Sequence, residues 1–125
     1  MVENYTSNTY SVDQLSLNKY AELSGGTGKI HTNPDYVKGT VFKRTLVHGI
    51  YLLTLVEKEL NEFNKDDHNK EFIDYQVKST FINPVFADEE FTIQLTRGNN
   101  QYIDFKVMKS DGCKAIIGHF STNYS

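Results

Sequence analysis

The residues of this chain that are best suited to chemistry lie between positions 24 and 49. His31 is the clearest candidate for a general base, because an unperturbed imidazole titrates with a pKa of about 6.5, close to neutral pH. It lies within residues 24–40, a stretch rich in Gly, Thr and Asn that contains Pro34. This composition predicts mostly irregular structure, and long loops in small domains usually carry function.

The glycine-rich run from Gly25 to Lys29 superficially resembles a phosphate-binding loop. The full pattern requires a glycine five residues before the Gly-Lys pair and a Ser or Thr directly after it. Leu23 and Ile30 occupy those two positions. Nucleotide binding is therefore not predicted.

The metal-ligating residue types are sparse and scattered. The four histidines, His31, His48, His68 and His119, show no paired ligand spacing, and Cys113 is the only cysteine. Zinc sites need several such ligands at short, regular spacings, so neither a metal nor another cofactor is predicted. Cys113 is interpreted as a small hydrophobic residue of a buried strand rather than as a nucleophile.

Composition places the chain among ordinary globular domains. Its 125 residues fit a single domain, 1–125, and 38% hydrophobic residues argue against disorder. The net charge of -3 gives no reason to expect nucleic acid or an anionic membrane as a partner. The first five residues lack the basic and apolar segments of a signal peptide, and no run approaches the roughly 18 apolar residues of a membrane span. We expect a cytoplasmic protein.

Two helices are predicted before the strands. Asp13 is suited to cap a short helix that ends at Gly25-Gly26. Thr45 is interpreted as the N-cap of a longer helix whose first three turns are apolar almost all round, which predicts burial. Apolar residues recur along this helix at spacings of three and four: Leu46, Val47, Ile50, Leu52, Leu53, Val56, Leu60 and Phe63.

The rest of the chain has the period-two pattern of strands. Alternation of apolar and polar residues covers 73–81, 91–96 and 103–107, and an apolar strand is predicted over 113–120. Gly98-Asn99-Asn100 and Ser110-Asp111-Gly112 are typical of tight turns between antiparallel strands. The first ten residues are interpreted as an edge strand. The predicted class is α+β, an antiparallel sheet curved around one long central helix.

Three segments resemble a known family. Residues 20–37 are similar to the MaoC-like hydratase motif, an aromatic residue followed by Ser-Gly-Asp-x-Asn-Pro-aliphatic-His and then an acidic-Pro-acidic stretch. Val47-His48-Gly49 looks like the Ala-His-Gly that opens the central helix of that family. Asn83-Pro84-Val85 resembles its Arg-Pro-Val. The matches occur in order and span most of the chain.

The resemblance implies a hotdog fold, with the sheet wrapped around the central helix and two copies usually paired into a continuous sheet. It implies as partner an acyl thioester of coenzyme A or of an acyl carrier protein. Members add water across a trans-2-enoyl thioester to give the (R)-3-hydroxyacyl thioester, or run the reverse. The motif Asp and His hold and deprotonate the water, and a backbone N–H at the start of the central helix receives the thioester oxygen.

This sequence departs from the family motif at two positions. Gly26 occupies the place of the motif aspartate and Gly28 that of the asparagine, whereas His31 is retained. Asp35 is a poor replacement for the missing carboxylate, and Glu22 is another candidate that no particular feature of the sequence supports. Loss of a positioned acid or base costs about 10²–10⁴ in rate, so the standard mechanism needs another group.

The expected site residues follow from the resemblance together with simple electrostatics. His31 and Gly49 are the expected catalytic residues, because Gly49 lies where the unpaired N–H groups of a helix start would meet negative charge on the thioester oxygen. His48 is interpreted mainly as a residue of the helix start. The expected substrate-binding residues are Gly26, Gly28, His48, Lys43 and Arg44, the last two as contacts for coenzyme A phosphates.

Three functions remain open at this point. The first is an active hydratase or dehydratase that uses His31 and an unidentified acid. The second is a non-catalytic hotdog subunit that binds acyl thioesters or pairs with an intact hydratase. The third is a hotdog thioesterase. A homodimer, or a hetero-oligomer with an intact subunit, is expected in each case.

Overall fold

The computed structural model describes residues 3–65, 75–98 and 102–122. Within these ranges four helices and five strands follow one another along the chain. Their bounds are β1 Glu3–Thr6, α1 Gln14–Ser24, α2 Lys29–Thr32, α3 Pro34–Lys38, α4 Gly49–Phe63, β2 Tyr75–Phe81, β3 Phe91–Arg97, β4 Tyr102–Lys109 and β5 Lys114–Thr122.

The strands form a single antiparallel sheet in the order β1-β3-β4-β5-β2. Consecutive strands β3, β4 and β5 are neighbours, whereas β1 pairs with β3 and β2 pairs with β5 across longer connections. Strands β1 and β2 are therefore at the two edges. The predicted α+β class and the edge position of the first strand are confirmed.

The core lies between the inner face of the sheet and α4. Leu52, Val56 and Leu60 project from α4 and are almost completely buried against the strands. The strands contribute a second set of fully buried side chains: Phe91, Ile93, Leu95, Phe105, Val107 and Ile116. Burial of each such side chain stabilises the fold by about 1.5–3 kcal/mol. The predicted sheet around one central helix is confirmed.

Helix α1 begins and ends as its sequence predicts. The Asp13 carboxylate accepts a hydrogen bond from the Ser16 N–H at 2.8 Å. Gly25 ends the helix with φ +79°, and its N–H donates to the Ala21 carbonyl. A left-handed residue at a helix end favours glycine because glycine has no Cβ to clash.

The predicted start of the central helix is wrong. Helix α4 begins at Gly49 after His48, and Thr45 does not cap it. Residues 45–47 run alongside residues 85–87 instead, with the Val47 N–H donating to the Val85 carbonyl at 2.8 Å. Thr45 is buried and its hydroxyl donates to the Gln14 side chain. Hydrogen bonds to a distant segment thus replace the first predicted helical turn.

Two other local predictions are also wrong. Residues 24–40 contain α2 and α3 rather than mostly irregular structure, and the Asn33 side chain caps α3 by accepting from the Tyr36 N–H at 3.0 Å. Cys113 is exposed and lies before β5, in the turn where its N–H donates to the Asp111 carboxylate. Turn chemistry, rather than burial, explains its position.

Burial of the central helix and of β2 is incomplete in the single chain. Ile50 is 63% exposed, so the prediction that the first turns of α4 are buried all round is wrong. On β2, Val77 is 43% exposed and Phe81 is 53% exposed. Predictions that concerned His68, Ile73, Asn99 and Asn100 fall outside the described residues.

Candidate active site

A cleft opens between the start of α4 and the segment that follows β2. Its volume is about 520 Å³. Its walls are mostly apolar, and the polar side chains among its lining residues are the His31 imidazole and the Asn83 amide. The lining residues are His31, Phe42, Leu46, Val47, Gly49, Ile50, Leu52, Phe81, Ile82, Asn83, Pro84 and Val85.

His31 lies on α2 with its ring held at the cleft wall. Its Nδ1 is 2.8 Å from the Leu46 carbonyl oxygen. A carbonyl oxygen only accepts hydrogen bonds, so Nδ1 carries a proton, and in the neutral ring Nε2 is the nitrogen with the lone pair. The backbone carbonyl of His31 accepts from the Gln14 amide at 3.0 Å, which ties α2 to α1. Nε2 is thus the ring nitrogen that is left free for proton transfer.

His48 is the residue directly before α4, and it is only 7% exposed. Its Nε2 is 2.7 Å from the Gly26 carbonyl oxygen, so Nε2 is the protonated nitrogen. Among the described residues, nothing hydrogen-bonds to its buried Nδ1. Burial lowers the pKa of His48, the bond to Gly26 opposes this shift, and the proximity of His31 lowers the pKa further. This ring is therefore neutral at neutral pH.

The two imidazoles stack on each other. Their ring centroids are 3.9 Å apart and their planes are inclined by 18°. Tyr20 packs edge-on against His48, with centroids 4.8 Å apart. Helix α2 is thereby joined to the start of α4, and His31 and Gly49 line the same cleft. The two residues expected to be catalytic are therefore brought together at one site.

Gly49 is the first residue of α4, and its backbone faces the Phe81 ring. A Cβ at this position would lie 2.7 Å from Phe81 Cε1, which is closer than any normal contact. The first N–H groups of an α-helix have no acceptor within the helix and can donate to a bound oxygen. The geometry is compatible with the expected role of Gly49, which stays a prediction.

The other expected substrate-binding residues lie outside the cleft lining. The Arg44 guanidinium donates to the Ala87 carbonyl, and its Cζ lies 5.5 Å from the centre of the Phe86 ring. The Lys43 ammonium group donates to the Lys38 carbonyl at 3.3 Å. Their contribution to substrate binding stays a prediction.

Gly26 and Gly28 border the histidine pair rather than the cleft. The Gly26 carbonyl holds His48, and the Gly28 carbonyl accepts from the His31 N–H at 3.0 Å at the start of α2. His48 does not line the cleft either. It is connected to the cleft through its ring, which stacks on His31. The substrate-binding role expected for these three residues also stays a prediction.

Among the described residues, no carboxylate lines this cleft. Asp35 is exposed and its carboxylate lies 3.5 Å from the Lys38 ammonium group. Glu22 is exposed on α1 and borders a different depression. Across the part of the chain that the structure describes, no three His, Cys, Asp or Glu side chains group to hold a metal ion. His31 is thus the one titratable side chain among the described residues that line the cleft.

Sequence reasoning missed most of the apolar wall. Phe81 was assigned only to the end of a strand and Ile50 only to the buried central helix, and Phe42 and Ile82 were given no role, although all four line the cleft. The usable signal was Asn83-Pro84-Val85, whose motif-like character marked the segment that forms one wall.

In the described ranges no helix is long and apolar enough to cross a membrane.

Comparisons with known proteins agree with this architecture. Residues 3–116 match the family model of the MaoC-like domain. The solved (R)-hydratase from A. caviae involved in PHA biosynthesis superposes with a TM-score of 0.78 at 18% identity, over 96% of this chain and 94% of that one. No curated protein matches the chain.

Two further solved structures have the same fold. The C-terminally truncated HadBC (3R-hydroxyacyl-ACP dehydratase) complex from Mycobacterium tuberculosis gives a TM-score of 0.80 at 10% identity, covering 97% of this chain and 93% of that one. R-hydratase PhaJ1 from Pseudomonas aeruginosa gives 0.71 at 17% identity, covering 100% and 81%. At these identities the likeness establishes the hotdog fold.

Proposed function

Because the chain belongs to the MaoC-like domain family, we propose that it is a hydratase or dehydratase of enoyl and 3-hydroxyacyl thioesters. The observation that carries this proposal is the free Nε2 of His31, placed beside the N-terminus of α4 in an apolar cleft. The apolar walls suit an acyl chain. The helix start suits a carbonyl oxygen that becomes negatively charged during the reaction.

The proposed hydration uses His31 for both proton transfers. Nε2 of His31 accepts a proton from water while the water oxygen bonds to C3 of the enoyl group. The electron pair of the C2–C3 double bond moves toward the thioester oxygen, where N–H groups at the start of α4 donate to the enolate. The His31 imidazolium then returns a proton to C2. One water has been added and His31 is again neutral, and dehydration is the reverse.

The test follows two signals from one reaction. Purified protein is given a crotonyl thioester, and enoyl absorbance and free thiol are recorded together. A hydratase lowers the absorbance without releasing thiol, whereas a thioesterase releases thiol directly. If neither signal appears with short and long acyl groups on coenzyme A or on an acyl carrier protein, the catalytic proposal fails.

A non-catalytic subunit is the second candidate, and it is favoured because none of the described residues that line the cleft has a carboxylate. One structural neighbour, HadBC, is itself a complex. This alternative requires no turnover by the purified chain and full activity only after co-expression with a subunit that has the motif aspartate. His31→Ala would then leave the activity of the complex unchanged.

Restoring the missing carboxylate should raise the hydration rate. A Cβ at Gly26 would lie 3.0 Å from Cδ2 of His48, so the ring must move by a few tenths of an ångström to admit a side chain. We expect Gly26→Asp to increase kcat by about tenfold or more, since a second acid or base shares the proton transfers. The rate of hydration of crotonyl-coenzyme A measures this change.

Gly26→Asn is the matched control for this prediction. The amide has the shape of the carboxylate but cannot exchange a proton. Equal rates for the Asn and Asp variants would show that the carboxylate adds no chemistry at this position.

We also propose that the chain is a dimer. Among the described strands, β2 pairs with β5 alone and leaves its other edge without a strand partner. Exposed apolar residues lie on and after this strand: Val77, Phe81 and Ile82. An exposed, apolar strand edge promotes association, and pairing with a second copy buries it.

A charge at this edge should separate the two copies. We expect Val77→Lys to shift the mass measured by light scattering from that of a dimer to that of a monomer. In the dimer the lysine would be buried between the two copies without a partner for its charge, which is energetically costly. Thr92→Lys, which places the same charge on β3 away from this edge, should remain dimeric. A monomeric wild-type protein at micromolar concentration would contradict the proposal.

A further inference from the structure

The basic nitrogen of His31 is useful only if its ring is held in one orientation. The hydrogen bond from Nδ1 to the Leu46 carbonyl fixes one point of the ring. A single hydrogen bond leaves the ring free to swing about it, because hydrogen bonds tolerate a broad range of angles. A second contact is needed to fix the plane of the imidazole.

The face of His48 supplies that second contact. The two rings are nearly parallel at a centroid separation of 3.9 Å. His48 is itself held on two sides, by its 2.7 Å hydrogen bond to the Gly26 carbonyl and by the edge of Tyr20. Tyr20 in turn packs edge-on against Tyr51 of α4, with centroids 4.9 Å apart. The ring that supports His31 is thus firmly anchored.

We infer that His48 is a positioning residue, which holds the His31 imidazole with Nε2 toward the cleft for the proposed thioester reaction. His48 does not line the cleft, so it acts through His31 rather than on the substrate. The inference rests on the proposed function for its kinetic consequence, whereas the orientation of His31 can be measured in the free protein.

The charge state of His48 suits this role. During the proposed reaction His31 becomes an imidazolium, and a charged neighbour 3.9 Å away would oppose that step. Burial disfavours the charged form of His48, so the stacked partner stays neutral. The titratable side chains in ring contact with His48 are His31 and Tyr20, so neither of these ring partners is a carboxylate.

The kinetic test compares two substitutions of His48 in two backgrounds. His48→Ala removes the ring. We expect kcat to fall by about tenfold or more with a smaller change in KM, because a misplaced base slows the chemical step more than it weakens substrate binding. His48→Phe keeps a flat ring and should retain most of kcat. In a His31→Ala background neither substitution should lower the residual rate further. If His48 acts only through His31, the effects of substituting the two residues are not additive.

The structural test follows the nitrogen-15 NMR shifts of His31 without substrate. In the wild-type protein and in His48→Phe, His31 should be a single tautomer with the proton on Nδ1. In His48→Ala the shifts should move toward the average of a free histidine. His119→Ala, which removes a histidine from β5 outside the cleft, should change neither the His31 shifts nor kcat.

Three results would overturn the inference. The first is a folded His48→Ala protein with the wild-type shifts of His31. The second is a folded His48→Phe protein that is as slow as His31→Ala. The third is an equal loss from His48→Ala in both backgrounds. If the wild-type protein has no hydratase activity, the proposed function fails, and the NMR shifts still decide whether His48 orients His31.

Discussion

Replacing His31 by alanine should lower kcat/KM for hydration of a crotonyl thioester by about 10²-fold or more, the contribution expected of a positioned general base. The effect should be this large because His31 is the one titratable side chain among the described residues that line the cleft. None of these described residues has a carboxylate that could take over either proton transfer. Initial rates of absorbance loss, measured from pH 5 to 9, give the comparison.

His31→Gln separates basicity from packing in this experiment. Glutamine fills similar space and can hydrogen-bond, but it cannot accept a proton at neutral pH, so its loss should match that of alanine. Thermal unfolding of both variants should stay close to wild type, because His31 is only half buried. If either variant keeps more than about a third of the wild-type kcat/KM, His31 is not the base.

Replacing Gly118 by alanine should destabilise the fold by about 3 kcal/mol or more, at the upper end of the cost of overpacking a core. A Cβ at this position would lie 2.2 Å from the Lys78 carbonyl oxygen and 2.6 Å from Phe105 Cζ. The first neighbour is backbone and the second is a buried ring, so neither can move cheaply. The expected decrease in Tm is roughly 10 °C for a domain of this size.

Gly39→Ala is the matched control for stability. A Cβ at Gly39 would lie 3.6 Å from the Tyr36 carbonyl oxygen, an ordinary contact, and φ there is -85°. This substitution should change the free energy of unfolding by less than about 1 kcal/mol. A Gly118→Ala protein with a wild-type Tm would show that β2 and β5 separate easily at this point.

The parts of the fold that the sequence predicted are those encoded locally. The Asp13 cap, the Gly25 end of α1 and the alternation in β3 and β4 depend on neighbours within a few residues. A period of two or a capping side chain carries such information directly. The antiparallel pairing of β3, β4 and β5 followed from turn signals of the same local kind.

The errors arose where distant segments compete with local preference. Thr45 looks like a helix cap, yet residues 45–47 hydrogen-bond to residues 85–87, so α4 starts later. Ile50 fits a buried apolar helix, yet it is 63% exposed. Neither outcome can be derived from spacing along the sequence.

The candidate site was predicted in part. His31 and Gly49 were both expected to be catalytic because the family resemblance implies that they act on one substrate, and both line the cleft. The stack of His31 on His48 was not foreseen, since two helices must first meet before the rings can touch. The apolar wall at Phe42 and Phe81 was missed for the same reason.

The position of β5 between β4 and β2 also determines the order in which the sheet can be completed. Of the five strands, β5 is synthesised last. Among the described strands it is the one partner of β2, and the pairing runs from Tyr75 opposite Thr122 to Phe81 opposite Ile116. Closing so long a stretch of chain costs conformational entropy before any contact is gained, which slows folding. On the ribosome, β2 must therefore wait unpaired, with its apolar residues accessible to chaperones, until β5 has emerged.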